Sequence, residues 1–504
     1  MGRFAFTLSA AILAVVLTAR STSQDTMVAS ARDFNLRSFS SISFTSLSNA
    51  VDLNLTNGYA RIQAAFRQGE YGLPGGFAIF SKTQNGVLSS EASVPAQPLI
   101  SSGRTYVEIA GPMTTGIAIA NPNAQPVTVN FFFTDANGRN FGQGSTTINV
   151  GSQIATLLTE APFNAPSSVQ ATFTFTSSLL VSAIGLRGFT NERGELLTTT
   201  LPLSEVGVLF PIRRTIPQFA DGGGWQTSVI LLNPSDATIT GELRLFAQSG
   251  DPLTVALNGV ASSIFSYSIA PRSFQRFRSP GTSANVQVGF ASIVPVSSDS
   301  RPSAFVLFRY KTNGITTTET SLSVPQGAAG NNIVVESSGD ATGGPRYVQS
   351  GIAIAYTGAI QQVSLQFLLY TSDGKLIGST EMGPRSGQWQ MALMLNEISG
   401  LPPITSSFRG ILRVVASGGT RFTGPPSVTV AAIRARFNER GEFLITSTPP
   451  LEEVFFTSSS ELLFPHFAVG GAYETQFLLF TDIGATGTMY LFDQNGNPLS
   501  LSMR

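Results

Sequence analysis

The chain has 504 residues, of which 42% are hydrophobic and only 12% charged; 30 basic residues balance 30 acidic ones, with one histidine and no cysteine. Such a balance supplies no basic stripe to displace counterions from nucleic acid, and the lack of cysteine removes disulfides, thiolate metal sites and lipid attachment. The length suits about three to five domains, whose surfaces must be covered by Ser, Thr, Asn, Gln and Gly, as in exported β-proteins.

Residues 1–23 read as a signal peptide. Arg3 supplies the positive start, residues 4–19 the apolar segment, and Ala19, Ser21 and Ser23 the small residues that suit cleavage before Gln24 or Asp25. The apolar segment is shorter than the ~20 residues that span a bilayer. No later stretch approaches that length, so no stable membrane span is expected. The expected location is extracellular, at the cell surface or periplasmic.

Beyond the leader, apolar and polar residues alternate with period two, the mark of half-buried antiparallel strands. Residues 24–103 hold one such strand (Ala60, Ile62, Ala64, Phe66) and a hairpin at Asn85-Gly86 running to Pro95. Within 104–205, Val127, Val129, Phe131 and Phe133 lead to the turn Asp135-Ala136-Asn137-Gly138. A later strand carries Val169, Ala171, Phe173 and Phe175, and Asn191-Glu192-Arg193-Gly194-Glu195 precedes a Thr-rich strand near Pro202. Residues 206–326 open on Leu209-Phe210-Pro211 and Gly222-Gly223-Gly224-Trp225, reach Gly250 after an alternating strand, and close through Asn313-Gly314 before Pro325. A stretch of Gly and Ala at 326–331 reads as a flexible linker. Within 327–462, Val363, Leu365, Phe367 and Leu369 lead to Gly374, and Asn438-Glu439-Arg440-Gly441-Glu442 precedes Pro449. Residues 463–504 open on Leu463-Phe464-Pro465, and Met489 and Leu491 lead to Asp493-Gln494-Asn495-Gly496.

The turn glycines 138, 250, 374 and 496 are spaced 112, 124 and 122 residues apart. About seven short strands per unit of this size, with no helical stretch, predict an all-β protein of tandem immunoglobulin- or fibronectin-like antiparallel β-sandwiches. Three units are whole (104–205, 206–326 and 327–462). Residues 24–103 hold closing strands only, and 463–504 hold opening strands only. The two ends either complete one sandwich, within the chain or head-to-tail between chains, or the sequence is truncated or its ends merely dock on their neighbours; the second, plainer reading is preferred.

The string Leu463-Phe464-Pro465-His466-Phe467-Ala468, and Phe219-Ala220-Asp221-Gly222-Gly223-Gly224-Trp225-Gln226-Thr227 followed by Leu232-Asn233-Pro234, resemble a repeat of secreted soil-bacterial proteins with tandem immunoglobulin-like sandwiches. The likeness is loosest in the first unit, and Tyr356-Thr357 replaces Asn-Pro in the third. It implies export and sandwich repeats, and brings no catalytic residues.

Candidate chemistry is sparse. A hydrolytic triad needs a histidine beside a nucleophile and a carboxylate, and His466 beside Pro465 reads instead as structural or exposed. The Asp-x-Asn-Gly turns offer oxygen ligands, yet Asn-Gly is also what a hairpin with positive φ requires. The two Asn-Glu-Arg-Gly-Glu copies read as solvated turns with Arg/Glu pairing, because paired glycosidase carboxylates come from separate elements across a cleft. Gly222-Gly223-Gly224 lacks the ending of a phosphate-binding loop. Thr172, Thr174 and Thr176 read as a solvent-side ladder. Trp225 and Trp389 are the two candidate ligand contacts, able to stack on sugar rings if exposed, with core or inter-domain packing the plainer role. The function expected is therefore a non-enzymatic structural or adhesive protein, a spacer or interaction scaffold at the cell envelope, with no cofactor and no metal. Its partners would be proteins or glycans at the cell surface, with head-to-tail self-association through the end units. The alternative is a carbohydrate- or matrix-binding module; a hydrolase comes third.

Overall fold

The computed structural model describes residues 27–47, 54–65, 73–207, 214–298, 300–339, 344, 346–358, 362–418, 426–453 and 461–504. The leader at 1–23, Phe66 and Leu209-Phe210-Pro211 lie outside the described residues. The described chain is almost wholly antiparallel β-structure, with one 3-10 turn at Leu395–Glu397.

The alternating pattern does what period two requires. In Val127–Thr134, Val127, Val129, Phe131 and Phe133 are buried while Thr128 and Asn130 are exposed. This strand lies between Asn140–Ile148 and the first half of Val169–Thr190, with Ile100–Ile109 beyond. Val169–Thr190 then crosses into a second sheet, where its later half pairs with Met113–Ala120 and Leu196–Leu201. Gln153–Leu157 completes that sheet. Ile117, Ile119, Phe173, Phe175 and Val181 fill the space between the layers. At ~25 cal/mol per Å² such burial is the main stabilising term, and truncating a core Phe costs about 3–5 kcal/mol.

Residues 214–323 pair in the same order. Arg214–Asp221, Gln287–Pro295, Ile239–Ala247 and Ile264–Ile269 form one sheet; Phe274–Arg278, Trp225–Leu232, Ser303–Thr312 and Ile315–Ser323 form the other. In the third sandwich Gly330–Ser338, Phe408–Gly418, Val363–Thr371 and Leu376–Arg385 make one layer, and Trp389–Met394, Val348–Tyr356, Thr429–Phe437 and Phe443–Ser447 the other. The two layers join where Ser337 and Ser338 pair with Gln349 and Val348. The 326–331 stretch expected as a flexible linker is held. Gly327 N–H donates to Glu452 Oε1, Ala328 bridges Val428, and Gly330 already begins a strand.

The two ends of the chain build a fourth, split sandwich. Thr56–Ala64 lies between Glu461–Val469 and Ala485–Asp493, and Ala31–Leu36 pairs on the far side of the latter. In the facing sheet Tyr473–Thr481 lies between Ser40–Thr45 and Gly75–Gln84, with Val87–Pro95 at the edge. Phe34, Ile62, Phe80 and Val94 share one core with Phe464, Phe467, Phe477 and Met489. The expectation that the ends merely dock on their neighbours is therefore corrected: they interleave strand by strand within one chain.

Each sandwich seats its Gly turn on the next. Gly138 abuts Ala270 and Pro271, Gly250 abuts Gln388, Gly374 abuts Ser38, and Gly496 abuts Gly151. Glycine is required at Gly250 on two counts: its φ is +91, and an added Cβ would lie 2.1 Å from the Gln388 carbonyl oxygen. First touches second, second touches third, third touches split and split touches first, so the four close into a ring.

The last strands of the four, Val87–Pro95, Leu196–Leu201, Ile315–Ser323 and Phe443–Ser447, meet at the middle. They join through side chains. Thr200 Oγ1 donates to the Ser93 carbonyl at 2.8 Å, and Ser321 N–H donates to Thr199 Oγ1 at 3.0 Å. Thr318 Oγ1 donates to the Ile445 carbonyl at 3.1 Å, and Asn438 Nδ2 to the Leu88 carbonyl at 3.0 Å. Short hydroxyl side chains can hydrogen-bond where no backbone ladder continues, which explains why these strands are rich in Ser and Thr.

Candidate functional site

At one pole of the central axis the two Asn-Glu-Arg-Gly-Glu hairpins face each other. Arg440 Nη2 lies 2.8 Å from Glu195 and its Nε 2.9 Å from Glu442, while Arg193 pairs with both Glu195 and Glu442. The sequence reading of Arg/Glu pairing holds, but the hairpins pair with each other as well as internally. Against the cost of desolvation, hydrogen bonds from Arg193 and Asn438 and the charge of Arg440 hold the Glu442 carboxyl down to about 2. These carboxylates are acceptors in a lock between the first and third sandwiches, not a protonatable pair.

Toward the other pole lies a cavity of about 310 Å³, rimmed by Pro95, Pro202, Pro325 and Pro449 at the ends of the four last strands. Its walls are largely apolar (Ile184, Leu322, Val430), with Thr200, Ser321 and Glu452 among the polar groups. Burial pushes the Glu452 carboxyl above its ordinary range, against the pull of the Gly327 N–H. The buried hydroxyls of Ser93 and Thr446, on the last strands, and of Thr448, just past the end of one, have no hydrogen-bond partner.

The other sequence candidates are placed as follows. His466 is buried, edge-on to Phe80 at 5.8 Å, with Nδ1 unpartnered; burial pushes its pKa down to about 4. Asp135 Oδ1 accepts the N–H groups of Asn137 and Arg139, and Asp493 Oδ1 those of Asn495 and Asn497. These carboxylates close turns. The Thr ladder is only partly solvent-side: Thr172 donates to the Arg272 carbonyl and Thr174 accepts from Arg104 Nε, both under the second sandwich, while Thr176 is exposed. Trp389 is buried in the third core, 3% exposed, so it offers no ring face to a ligand. Trp225 is half-buried beside Tyr310 (ring centroids 4.8 Å apart) and Phe443, and lines a cleft of about 330 Å³ between the second and third sandwiches.

Sequence reasoning missed the charged contacts between sandwiches. Arg187 bridges Glu108 of its own sandwich at 2.9 Å and Glu319 of the second at 2.7 Å. Arg434 bridges Glu336 of its own at 3.0 Å and Glu91 of the split sandwich at 3.4 Å. Arg104 is buried, donating to the Asn233 carbonyl at 2.6 Å, and burial pushes its pKa down to about 10. A charged residue on the inward side of an apolar strand, as in Ile184-Gly185-Leu186-Arg187, was the available signal.

No protein family matches this chain, and no curated protein matches it. Among solved structures it is similar to the infectious bursal disease virus VP2 subviral particle, at 8% identity and a TM-score of 0.12, over 82% of this chain and 86% of that one. The infectious bursal disease virus Gx strain structure gives 8% identity and a TM-score of 0.12, over 95% and 86%. At those scores nothing about this chain is drawn from either. Among the described residues no helix is long and apolar enough to cross a membrane.

Proposed function

We infer that the chain is an exported, non-enzymatic interaction scaffold of tandem immunoglobulin-like sandwich units. The observation that carries this reading is the split sandwich, whose interleaved strands tie the chain's two ends into one closed body. A closed ring suits a compact platform with loops facing outward better than a linear spacer. In support, the carboxylates and guanidinium groups best placed for chemistry are spent on contacts between sandwiches. Fractionation of the producing cell, with a broad hydrolase panel on the purified chain, tests the reading. The expected outcome is an extracytoplasmic protein with no turnover; a cytoplasmic location or sustained hydrolysis would overturn it.

The carbohydrate-binding alternative keeps one observation in its favour, the half-buried face of Trp225 in its cleft. Glycan-array binding abolished by Trp225→Ala and kept by Trp225→Phe would favour it.

A further inference from the structure

Four guanidinium groups, Arg187, Arg276, Arg278 and Arg309, converge on two carboxylates, Glu108 and Glu319, around a cleft of about 20 Å³ between the first and second sandwiches. Glu108 takes Arg187 at 2.9 Å and Arg276 at 2.5 Å; Glu319 takes Arg187 and Arg309, each at 2.7 Å. Among the described residues no carboxylate forms an ion pair with Arg278, whose Nε donates to the neutral Gln226 Oε1 at 2.9 Å. Arg187 Nη2 is turned on the Met113 thioether at 3.1 Å, a poor acceptor. Arg276 also reaches the neutral Tyr106 hydroxyl at 3.4 Å. The cleft thus carries four positive charges against two negative ones. Burial, and then Arg309 and Arg276, hold the Arg278 pKa below the ordinary arginine range. A guanidinium does not escape by deprotonating, so the surplus calls for a counter-charge.

The corresponding contact between the third and split sandwiches lacks this surplus of cations on the receiving side. In the same strand registers Arg276, Arg278 and Arg309 give way to Ser43, Thr45 and Ser81, and Gln226 gives way to Glu474. Glu474 also pairs with Arg504 at 3.7 Å. There the third sandwich itself brings Arg409, Arg434 and Arg436 to Glu336 and Glu91, with Glu474 as a further carboxylate near Arg436, so that contact is held with fewer uncompensated guanidinium groups than the cleft between the first and second sandwiches. A water needs about 10–15 Å³ of such space, so the cleft admits the tip of a ligand and leaves the rest outside.

We propose that this cleft binds a single oxyanion group (sulfate, phosphate or carboxylate) against Arg278, Arg276 and Arg309. Forked N–H donors match two oxygens of such a group, and a half-buried setting strengthens the pairing over its worth in water.

The test uses the full chain, titrated with sodium sulfate and with phosphate against chloride at matched ionic strength, and read by calorimetry and by the thermal midpoint. Sulfate should bind and raise the midpoint. Arg278→Gln should weaken binding at least about tenfold, and exposed Arg139→Ala should leave it unchanged. Because Arg278→Gln could loosen the fold, Gln226→Glu is the second variant. It supplies the missing carboxylate from within, and should abolish sulfate binding without lowering the midpoint in chloride. A sulfated oligosaccharide forms the last arm. Binding that depends on Arg278 identifies a glycan-borne group as a ligand; inorganic anions binding alone identify the free ion. No sulfate effect in the parent chain, or sulfate affinity in either variant equal to the parent's, would overturn the proposal.

Discussion

His466 shows how burial alone sets a residue's chemistry. Desolvation is the cause of its shift, with no carboxylate acting to favour the imidazolium, and the apolar Phe80 ring lies roughly perpendicular to its own. The charged form is therefore penalised, and the pKa falls from 6.5 to about 4. An unfolded chain takes up the proton near 6.5, so it binds more protons than the folded one below that pH, and stability falls as pH drops toward 4. The full penalty is roughly 3 kcal/mol. Denaturant titrations at pH 7, 5.5 and 4 should show the decline, and His466→Phe should remove the part due to this residue; an unchanged pH slope in that variant would contradict the assignment. Arg104 and Asn233 make the opposite case, being buried polar residues with their bonds made. Asn233 Nδ2 ties the carbonyls of Ala237, Ile269 and Ala270, while its own carbonyl receives Arg104. The Asn-Pro motif was visible in the sequence; the four groups it gathers were not.

Among the elements, the four last strands carry the distinctive physics. Thr318 both donates to the Ile445 carbonyl and accepts from the Ile445 N–H, joining the second sandwich to the third. Thr318→Val keeps the shape and strands both backbone groups, which should cost about 1–3 kcal/mol, whereas Thr128→Val on the exposed face of the first sandwich should be near neutral. Chemical denaturation of the two variants decides between a joint and a coincidental contact. Alternation made the strands inside each sandwich legible, because Val127 to Phe133 faces a core assembled from nearby chain. The same logic failed between sandwiches. Thr172 and Thr174 read as facing water, yet their hydroxyls face other protein, as do those of Thr199 and Ser321. A polar interface has the composition of a surface, so residue type cannot separate them. The Gly250 and Gly374 turns likewise read as hairpins; their seating on Gln388 and Ser38 depends on sequence-distant chain.

For the whole molecule, closure depends on strands far apart in sequence. Ile62 pairs with both Leu462 and Met489, and Phe44 with Phe477. Removing residues 463–504 takes one or two paired neighbours from Ala31–Leu36, Ser40–Thr45, Thr56–Ala64 and Gly75–Gln84 at once. Their apolar faces and unpaired edges would then be open. The truncated chain should be cleaved rapidly within residues 27–95 and should self-associate, while 104–450 stays protease-resistant; a resistant, monomeric truncation would show that the ends do not support each other. The half-filled ends were legible from the repeat spacing, but their mutual pairing was not, since no local pattern records a partner hundreds of residues away. That separation also sets an order of events during synthesis. Chain elongation delivers Ala31–Leu36 to Val87–Pro95 early, so residues 96–460 must be made before those strands can meet their partners. Until then the N-terminal segment waits as an unmatched half, exposed to proteases and holdases for the duration of translation.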